Sequence, residues 1–282
     1  MKFNKILLFE GKDNDNVSKA RDDIENWAED NGIKLRSFSE ISDLTARVEG
    51  SEPDPLVLSL GGDGTFLRAA DMVSSFKLPI LGINLGRLGF LSGLDCTELV
   101  RGLTSVCNGE FTIDELSRLK CQINHADLKK SKDYTALNEV VVSRGDVSSF
   151  AEVELYLDST RVATYPGDGV IVATPTGSTA YSLSSGGPLI TRNTPALTIT
   201  PLNVHQLGLI PIICSEESEI TLVAKTEVVI QVDGNRVGRL PPGQDVKITK
   251  SPVPTLMVVP DIRSGFFETV RNKLNWGLNR GT

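Results

Sequence analysis

Five consecutive residues, Gly61-Gly62-Asp63-Gly64-Thr65, are the first place in this chain where chemistry is concentrated. They follow an apolar run, Leu56–Leu60, and precede a helical pattern over 66–76. A strand feeding a glycine-rich turn and then a helix aims backbone N–H groups and a helix N-terminus at one point, a natural seat for an anion. Glycines let the backbone come close to the ligand and take positive φ. Asp63 is the odd member, because a carboxylate repels phosphate. It therefore suggests a separate job: holding a metal, orienting a hydroxyl or accepting its proton. The plainer alternative is a tight turn in which Asp63 caps the helix. The five-residue string as a whole favours function over that alternative. It is not a Walker A loop, since the Gly-Lys-Ser/Thr ending is missing.

Three further strings stand out. Asn84-Leu85-Gly86-Arg87-Leu88-Gly89-Phe90-Leu91 follows another apolar run and brings two glycines, a cation and an aromatic together. Arg87 could offset phosphate charge, although an ordinary strand-exit turn is the simpler reading. Leu137-Asn138-Glu139-Val140 opens an apolar strand with a polar pair. Asn can read an adenine edge and Glu can accept from ribose hydroxyls, while ordinary strand-start polarity remains the alternative. The longest string is Gly167-Asp168-Gly169-Val170-Ile171-Val172-Ala173-Thr174-Pro175-Thr176-Gly177-Ser178-Thr179-Ala180-Tyr181-Ser182. Its hydroxyls are small donors and acceptors without net charge, and Tyr181 adds a flat face. Such a surface suits a base, a ribose and a pyrophosphate together.

The elements that must position these strings fall into two styles. Over residues 1–95, strands at Lys5–Phe9, Leu35–Phe38, Leu56–Leu60 and Pro79–Asn84 alternate with helical patterns. The first helix places Val17, Ala20, Ile24, Trp27 and Ala28 on one face, and Ile41–Val48 is a shorter second. This alternation predicts a Rossmann-like parallel sheet with right-handed crossovers, whose ligands bind at the carboxyl ends of its strands. From Leu137 onward, short apolar or period-two runs punctuated by Gly, Pro, Asp and Ser predict an all-β sandwich. Leu256–Val259 is read as one of its strands. Phe266–Trp276 is helical again. The expected domains are therefore 1–115 α/β, 116–262 β sandwich, and 263–282 a terminal helix packing back on the first domain.

Composition narrows the partners. The chain has 282 residues, 40% hydrophobic and 23% charged, with a formal net charge of −7. That length can bury a core without disulfide or metal staples. The charge argues against a nucleic-acid or anionic-membrane binder, each of which calls for a basic field. No apolar stretch approaches the ~18 residues of a membrane span. The N-terminal apolar run is too short for a signal-peptide core. Four scattered cysteines (Cys96, Cys107, Cys121, Cys214) and two histidines (His125, His205) suggest neither a disulfide framework nor a zinc site. The expectation is a reducing cytoplasm.

These strings, in this order, resemble the NAD kinase family. Gly-Gly-Asp-Gly-Thr is shared with diacylglycerol- and sphingosine-type lipid kinases, and a related Gly-Gly-Asp-Gly occurs in phosphofructokinases. The Gly167–Ser182 string is much more specific, and the similarity extends from about residue 56 to the terminal helix through the Val232-Asp233-Gly234 turn. The resemblance implies transfer of the terminal phosphoryl group of ATP to the 2′-hydroxyl of the adenosine ribose of NAD. It implies Asp63 as the catalytic residue, Gly61, Gly62, Gly64 and Thr65 as the phosphate-binding loop, and Gly64 and Phe90 lining the dinucleotide site. Asn138 and Glu139 would hold the adenosine, and Asp168, Thr176, Thr179, Ala180 and Tyr181 would complete the pocket. It also implies a homodimer or homotetramer with that site partly shared between subunits. Mg2+ is expected to bridge the donor phosphates, and no side chain is assigned to a metal. NADH in place of NAD, and polyphosphate in place of ATP, stay open.

Two positions depart from the family pattern. Pro166 stands where a basic residue is common, and Ile210 precedes Pro211 where an Arg-Pro pair is common, so His205 is given no role. A lipid kinase would be expected to carry a basic or apolar membrane-facing element, for which the charge of −7 gives no support. A catalytically silent NAD(P)-binding sensor is opposed by the intact Asp63.

Overall fold

Short runs such as Leu56–Leu60 and Pro79–Asn84 have no polar face, so they can be satisfied only in the middle of a sheet covered on both sides. In the computed structural model both runs are strands buried along their whole length. The structure describes residues 3–12, 15–48, 55–86, 89–124, 132–145, 150–206, 208–263 and 265–277. Arg87 and His125 lie outside the described residues. Two units emerge, one from Met1–Glu115 with Thr255–Thr282 and the other from Leu116–Pro254. They show the expected α/β and all-β characters.

The first unit runs β1 (Lys5–Glu10), α1 (Asp15–Asp30), β2 (Lys34–Phe38), α2 (Ile41–Val48), β3 (Leu56–Leu60), α3 (Asp63–Ser74), β4 (Pro79–Asn84), β5 (Leu94–Asp95), α4 (Leu99–Asn108) and β6 (Phe111–Leu116). β1 pairs in parallel with both β2 and β3, and β3 pairs in parallel with β4. The chain thus leaves β1 to one side for β2 and returns on the other side for β3. That reversal is the switch point where open α/β sheets bind ligands, at the carboxyl ends of the strands. Ile6, Leu8, Leu56, Leu58, Leu60, Leu81 and Ile83 share one core with Val17, Ala20, Ile24, Trp27 and Ala28 of α1. Each fully buried aliphatic side chain there contributes about 1.5–3 kcal/mol.

The second unit holds β7 (Leu119–Asn124), β8 (Lys132–Ala136), β9 (Glu139–Ser143), β10 (Ala151–Leu157), β11 (Thr160–Gly167), β12 (Gly169–Ala173), a 3-10 turn at Gly177–Thr179, and α5 (Tyr181–Ser184). β13 (Ala196–Leu202), β14 (Ile212–Ser215), β15 (Ile220–Ala224), β16 (Val228–Val232), β17 (Asn235–Leu240) and β18 (Asp245–Lys250) follow. Among the described residues these strands form two six-stranded sheets, ordered β11-β10-β15-β18-β7-β8 and β14-β13-β12-β9-β16-β17. Their facing side chains, among them Leu119, Val153, Leu222 and Ile248 from one sheet and Val140, Val172, Ile199 and Ile230 from the other, make one core.

The chain then returns to the first unit through β19 (Thr255–Pro260) and α6 (Phe266–Leu274). Here the structure differs from the sequence expectation. Leu256–Val259 is a strand, but it is not part of the sandwich expected to extend to residue 262. It pairs in parallel with β4, Leu256 opposite Pro79 and Met257 opposite Ile80. Apolarity specifies a buried strand, and nothing local in Thr255–Pro260 says which sheet receives it. The helix after the phosphate loop also begins earlier than its apolar pattern, at Asp63, with Gly62 as the N-cap. No helix among the described residues is long and apolar enough to cross a membrane.

Candidate functional site

β3 ends at Leu60 and the chain turns at Gly61 with φ +149, a conformation that favours glycine. The turn is wedged from below by Thr65. A Cβ on Gly61 would strike the Thr65 hydroxyl, and one on Gly11 would lie 2.8 Å from it. The Thr65 side chain therefore locks the ends of β1 and β3 together. Around this lock is an open cleft of about 550 Å3. Gly61, Gly62 and Gly64 form one wall, Asn84–Gly86 at the end of β4 another, and Lys12 and Arg68 bring positive charge to it. The Arg68 guanidinium lies 5.7 Å from the centre of the Phe9 ring. A helix N-terminus, closely approaching glycines and two cations together suit a polyphosphate.

Asp63 is the first residue of α3, yet it does not cap the helix. Gly62 holds the N-cap position and makes no side-chain cap bond. The Asp63 carboxylate instead reaches the segment after β4. Its Oδ2 accepts the backbone N–H of Phe90 and its Oδ1 that of Leu91, both at 3.0 Å. A third donor, the Lys273 ammonium from α6, lies 3.2 Å from Oδ2. Gly89 is required here, because a Cβ would run into Asp63 Oδ1. Phe90 is 4% exposed. Its carbonyl accepts from Arg263 at 2.8 Å, and its ring lies 6.5 Å from Phe266 and 4.4 Å beneath the Lys273 ammonium. Phe90 is thus placed to act through its backbone N–H and as a platform for a cation.

In the second unit, Asn138 and Glu139 open β9 beside the turn that follows β12. Thr174 ties the two together. Its hydroxyl donates to the Leu137 carbonyl at 2.6 Å and accepts the Gly177 N–H at 3.0 Å, while its own N–H donates to the Asn138 carbonyl. Asp233 clamps the other side. It sits with Gly234 in the two-residue loop of the β16–β17 hairpin, both at positive φ, as Asp-Gly type I′ turns require. Its carboxylate accepts three consecutive backbone N–H groups, from Leu137 at 2.7 Å, Asn138 at 2.8 Å and Glu139 at 3.1 Å.

Glu139 is 6% exposed, and its Oε2 is buried without a hydrogen-bond partner. Burial, then the neighbouring Asp233 charge, pushes its carboxyl up to about 7, against the pull of the Tyr181 N–H. Burial also raises Asp233, opposed by its three N–H donors and the Arg118 charge. Arg118, 1% exposed, donates to the Thr135 hydroxyl at 2.7 Å. Thr176 is buried, its carbonyl accepting from the Thr179 hydroxyl, whereas Tyr181 is 46% exposed. Asn138, Glu139, Thr176, Thr179, Ala180 and Tyr181 therefore lie around one turn, at the Ala173 end of β12.

Asp168 lies at the other end of that strand. It pairs with Arg144 at 2.9 Å and accepts from Asn203 at 2.8 Å. The five strand residues between it and Thr174 make six steps, roughly 20 Å at 3.3 Å per residue. One chain therefore does not bring Asp168 to the Asn138–Tyr181 cluster. His205 is exposed beside Phe150, with ring centres 5.7 Å apart, and Ile210 is exposed.

No three His, Cys, Asp or Glu side chains among the described residues converge to hold a metal ion. Asp63, the one carboxylate in the phosphate loop, is already engaged by three N–H donors. The residues present do not fit a protein-built metal centre.

Sequence reasoning gives no site role to Lys12, Arg68 or Lys273, and names Asp233 only as part of the Val232-Asp233-Gly234 turn. Asp233 carried a visible signal, since an Asp-Gly pair between apolar runs marks a hairpin turn. The three lysine and arginine positions carried none.

Comparison with known proteins places the chain in one family. Residues 12–111 match the model for the ATP-NAD kinase N-terminal domain, and residues 137–259 that for the ATP-NAD kinase C-terminal domain. The NAD kinase of Moorella thermoacetica is 36% identical over 267 residues, covering 92% of this chain and 85% of that protein. That of Clostridium tetani is 33% identical, covering 97% and 99%. The crystal structure of an NAD kinase from Archaeoglobus fulgidus in complex with ATP superposes with a TM-score of 0.76 at 25% identity, covering 95% of this chain and 99% of that one. Yeast NADH kinase complexed with NADH gives a TM-score of 0.84 at 23% identity, covering 100% and 90%, a likeness of fold.

Proposed function

This chain belongs to the NAD kinase family and phosphorylates NAD with ATP as donor, and we propose that Asp63 directs the transfer to the 2′-hydroxyl of the adenosine ribose. The observation that carries this reading is the way Asp63 is held. It caps no helix, and two backbone N–H groups fix its carboxylate beside an anion-binding loop. In that posture it accepts a hydrogen bond from the acceptor hydroxyl and takes its proton. The hydroxyl oxygen bonds to the γ-phosphorus, and the bond from that phosphorus to the β,γ-bridging oxygen breaks with its electron pair leaving on ADP. The products are NADP, ADP and the proton on Asp63. Aspartate is a weak base at neutral pH, but phosphoryl transfer rests mainly on positioning and charge stabilisation.

The Gly61-Gly62-Asp63-Gly64-Thr65 loop, with Lys12 and Arg68, receives the donor phosphates in the cleft, the Gly62 and Gly64 amides being its donors because the Gly61 and Thr65 N–H groups already bond the Ile83 and Gly62 carbonyls. A divalent cation, most simply Mg2+, enters as part of the donor, since no three His, Cys, Asp or Glu side chains among the described residues converge to hold one. In the β unit, Asn138, Glu139, Thr176, Thr179, Ala180 and Tyr181 hold the adenosine, the unpartnered Glu139 Oε2 being placed for a ribose hydroxyl. The separation of Asp168 from this cluster supports a homodimer or homotetramer in which a dinucleotide draws Asp168 from a second subunit. The four cysteines form no disulfide, which supports a reducing cytoplasm as its location.

The test incubates purified protein with Mg·ATP and NAD and detects NADP with an NADP-specific dehydrogenase. Asp63→Asn should bind NAD and turn over about 100-fold or more slowly. Near-wild-type turnover of the variant overturns the role of Asp63. Lipid phosphorylation without NADP formation overturns the acceptor.

A further inference from the structure

The contact between Asp63 and Lys273 joins residues 210 positions apart. The Lys273 ammonium lies 3.2 Å from Asp63 Oδ2 and 4.4 Å over the centre of the Phe90 ring, its side chain 33% exposed. The helix that carries it is anchored by the buried Thr269 and Val270 and by Phe266 beside Phe90. Lysine is therefore delivered to this carboxylate by a helix whose own packing does not depend on it.

We propose that Lys273 is the mobile cation of the transfer step, paired with Asp63 before the acceptor's proton moves and with the transferring phosphoryl group as it does. This rests on the reading of Asp63 as the proton acceptor. A purely structural ion pair explains little, because a partly exposed lysine contributes little to stability and Asp63 already accepts two backbone N–H groups. A role in transfer explains both neighbours. A carboxylate in a phosphate loop repels the donor, and an ammonium at 3.2 Å offsets that charge while the site loads. When the 2′-hydroxyl gives its proton to Asp63, the carboxyl becomes neutral and its hold on the ammonium weakens. At that moment charge is spread over the phosphoryl oxygens and the leaving ADP. The Phe90 ring, attracting the cation whatever the state of Asp63, keeps Lys273 within reach. Ammonium has three donors, so a phosphoryl oxygen can be engaged before Asp63 is released. An interaction that strengthens only as the proton moves lowers the barrier rather than tightening ground-state binding.

The experiment compares the full chain with Lys273→Met, which keeps the aliphatic stem, and Lys273→Arg, which keeps the charge. In Lys273→Met, kcat should fall about 100-fold, with KM for NAD within about threefold, KM for ATP raised by much less than kcat falls, and the thermal midpoint close to that of the wild type. Lys273→Arg should recover at least a tenth of the lost rate. Wild-type kcat in Lys273→Met, a change in KM alone, or a loss that Lys273→Arg does not lift overturns the proposal. Near-wild-type turnover of Asp63→Asn overturns instead the reading on which it rests, so the two failures are distinguishable.

Discussion

Gly177 lies so close to Asn138 that a Cβ placed on it would sit 2.5 Å from the Asn138 carbonyl carbon and 2.8 Å from its Cα. Both are backbone atoms of a buried strand entry, so neither can yield as a flexible side chain would. The Thr-Gly-Ser turn thus carries glycine for a close crossing of two backbones, the crossing that sets the Asn138–Glu139 pair against the Thr176–Tyr181 turn. Gly177→Ala should cost about 1–3 kcal/mol of stability, the usual penalty for overpacking, and should raise KM for NAD more than KM for ATP. Thermal unfolding and initial rates check this. An unchanged midpoint with an unchanged KM for NAD would show that the crossing has slack.

Asp233 is the second support of that pair. Removing its carboxylate leaves three consecutive N–H groups without their acceptor, and takes away a negative charge that acts on the buried Arg118. An unsatisfied buried donor costs about 1–3 kcal/mol, and three lose their acceptor at once. Asp233→Ala should therefore lose on the order of 3 kcal/mol or more in urea unfolding, with a raised KM for NAD. Asp233→Asn, which keeps one acceptor oxygen, should fall between. Equal stability of wild type and Asp233→Ala would mean that the β9 entry is held by Thr174 alone.

Glu139 gives a pH signature of stability. Its folded carboxyl titrates at about 7 against 4.5 for an unperturbed one. Below pH 4.5 it is protonated folded and unfolded. Between 4.5 and 7 the unfolded chain releases the proton while the folded chain keeps it, so stability falls as pH rises, and above 7 the penalty is complete at about 3 kcal/mol. Glu139→Gln removes the titration. The variant should gain stability relative to the wild type as pH goes from 4.5 to 7.5, read as the difference between their unfolding midpoints across that range. A difference that stays level with pH means that Glu139 does not titrate there in the folded protein.

Whatever is written in local patterning was readable in advance, and whatever depends on distant pairing was not. Val17, Ala20, Ile24, Trp27 and Ala28 announce the buried face of α1, and Leu56–Leu60 announces its strand residue for residue, because each is a periodicity within one segment. β8 is hidden by the charged Lys132 and Asp133 at its start, whereas β7 alternates Leu119, Cys121 and Ile123 with Lys120 and Gln122, a period-two signal that is present in the sequence and was overlooked. Leu256–Val259 was legible as a strand but not as a neighbour of β4, a pairing across some 175 positions. The candidate site divides in the same way. The glycine turn and Asp63 are contiguous in sequence, whereas Lys273 in Asn272-Lys273-Leu274 reads as an ordinary solvated helix face until the fold sets it on Asp63.

The cleft at the ends of β1, β3 and β4 is assigned to the donor by its cations, and Arg68 tests that assignment separately from the acceptor. Arg68 projects from the second turn of α3, its guanidinium near the Phe9 ring and on the rim of the cleft with Gly61, Gly62 and Gly64. A charge-assisted hydrogen bond from guanidinium to phosphate contributes about 1.5–3 kcal/mol, equivalent to roughly 10-fold or more in binding. Arg68→Met preserves the stem against Phe9 and deletes the charge. It should raise KM for ATP about 10-fold at low salt and leave KM for NAD near the wild-type value, with the difference shrinking as ionic strength rises and screening grows. Initial rates with each substrate varied at several salt concentrations separate the two. A rise in KM for NAD with ATP unaffected would place the acceptor, not the donor, in this cleft.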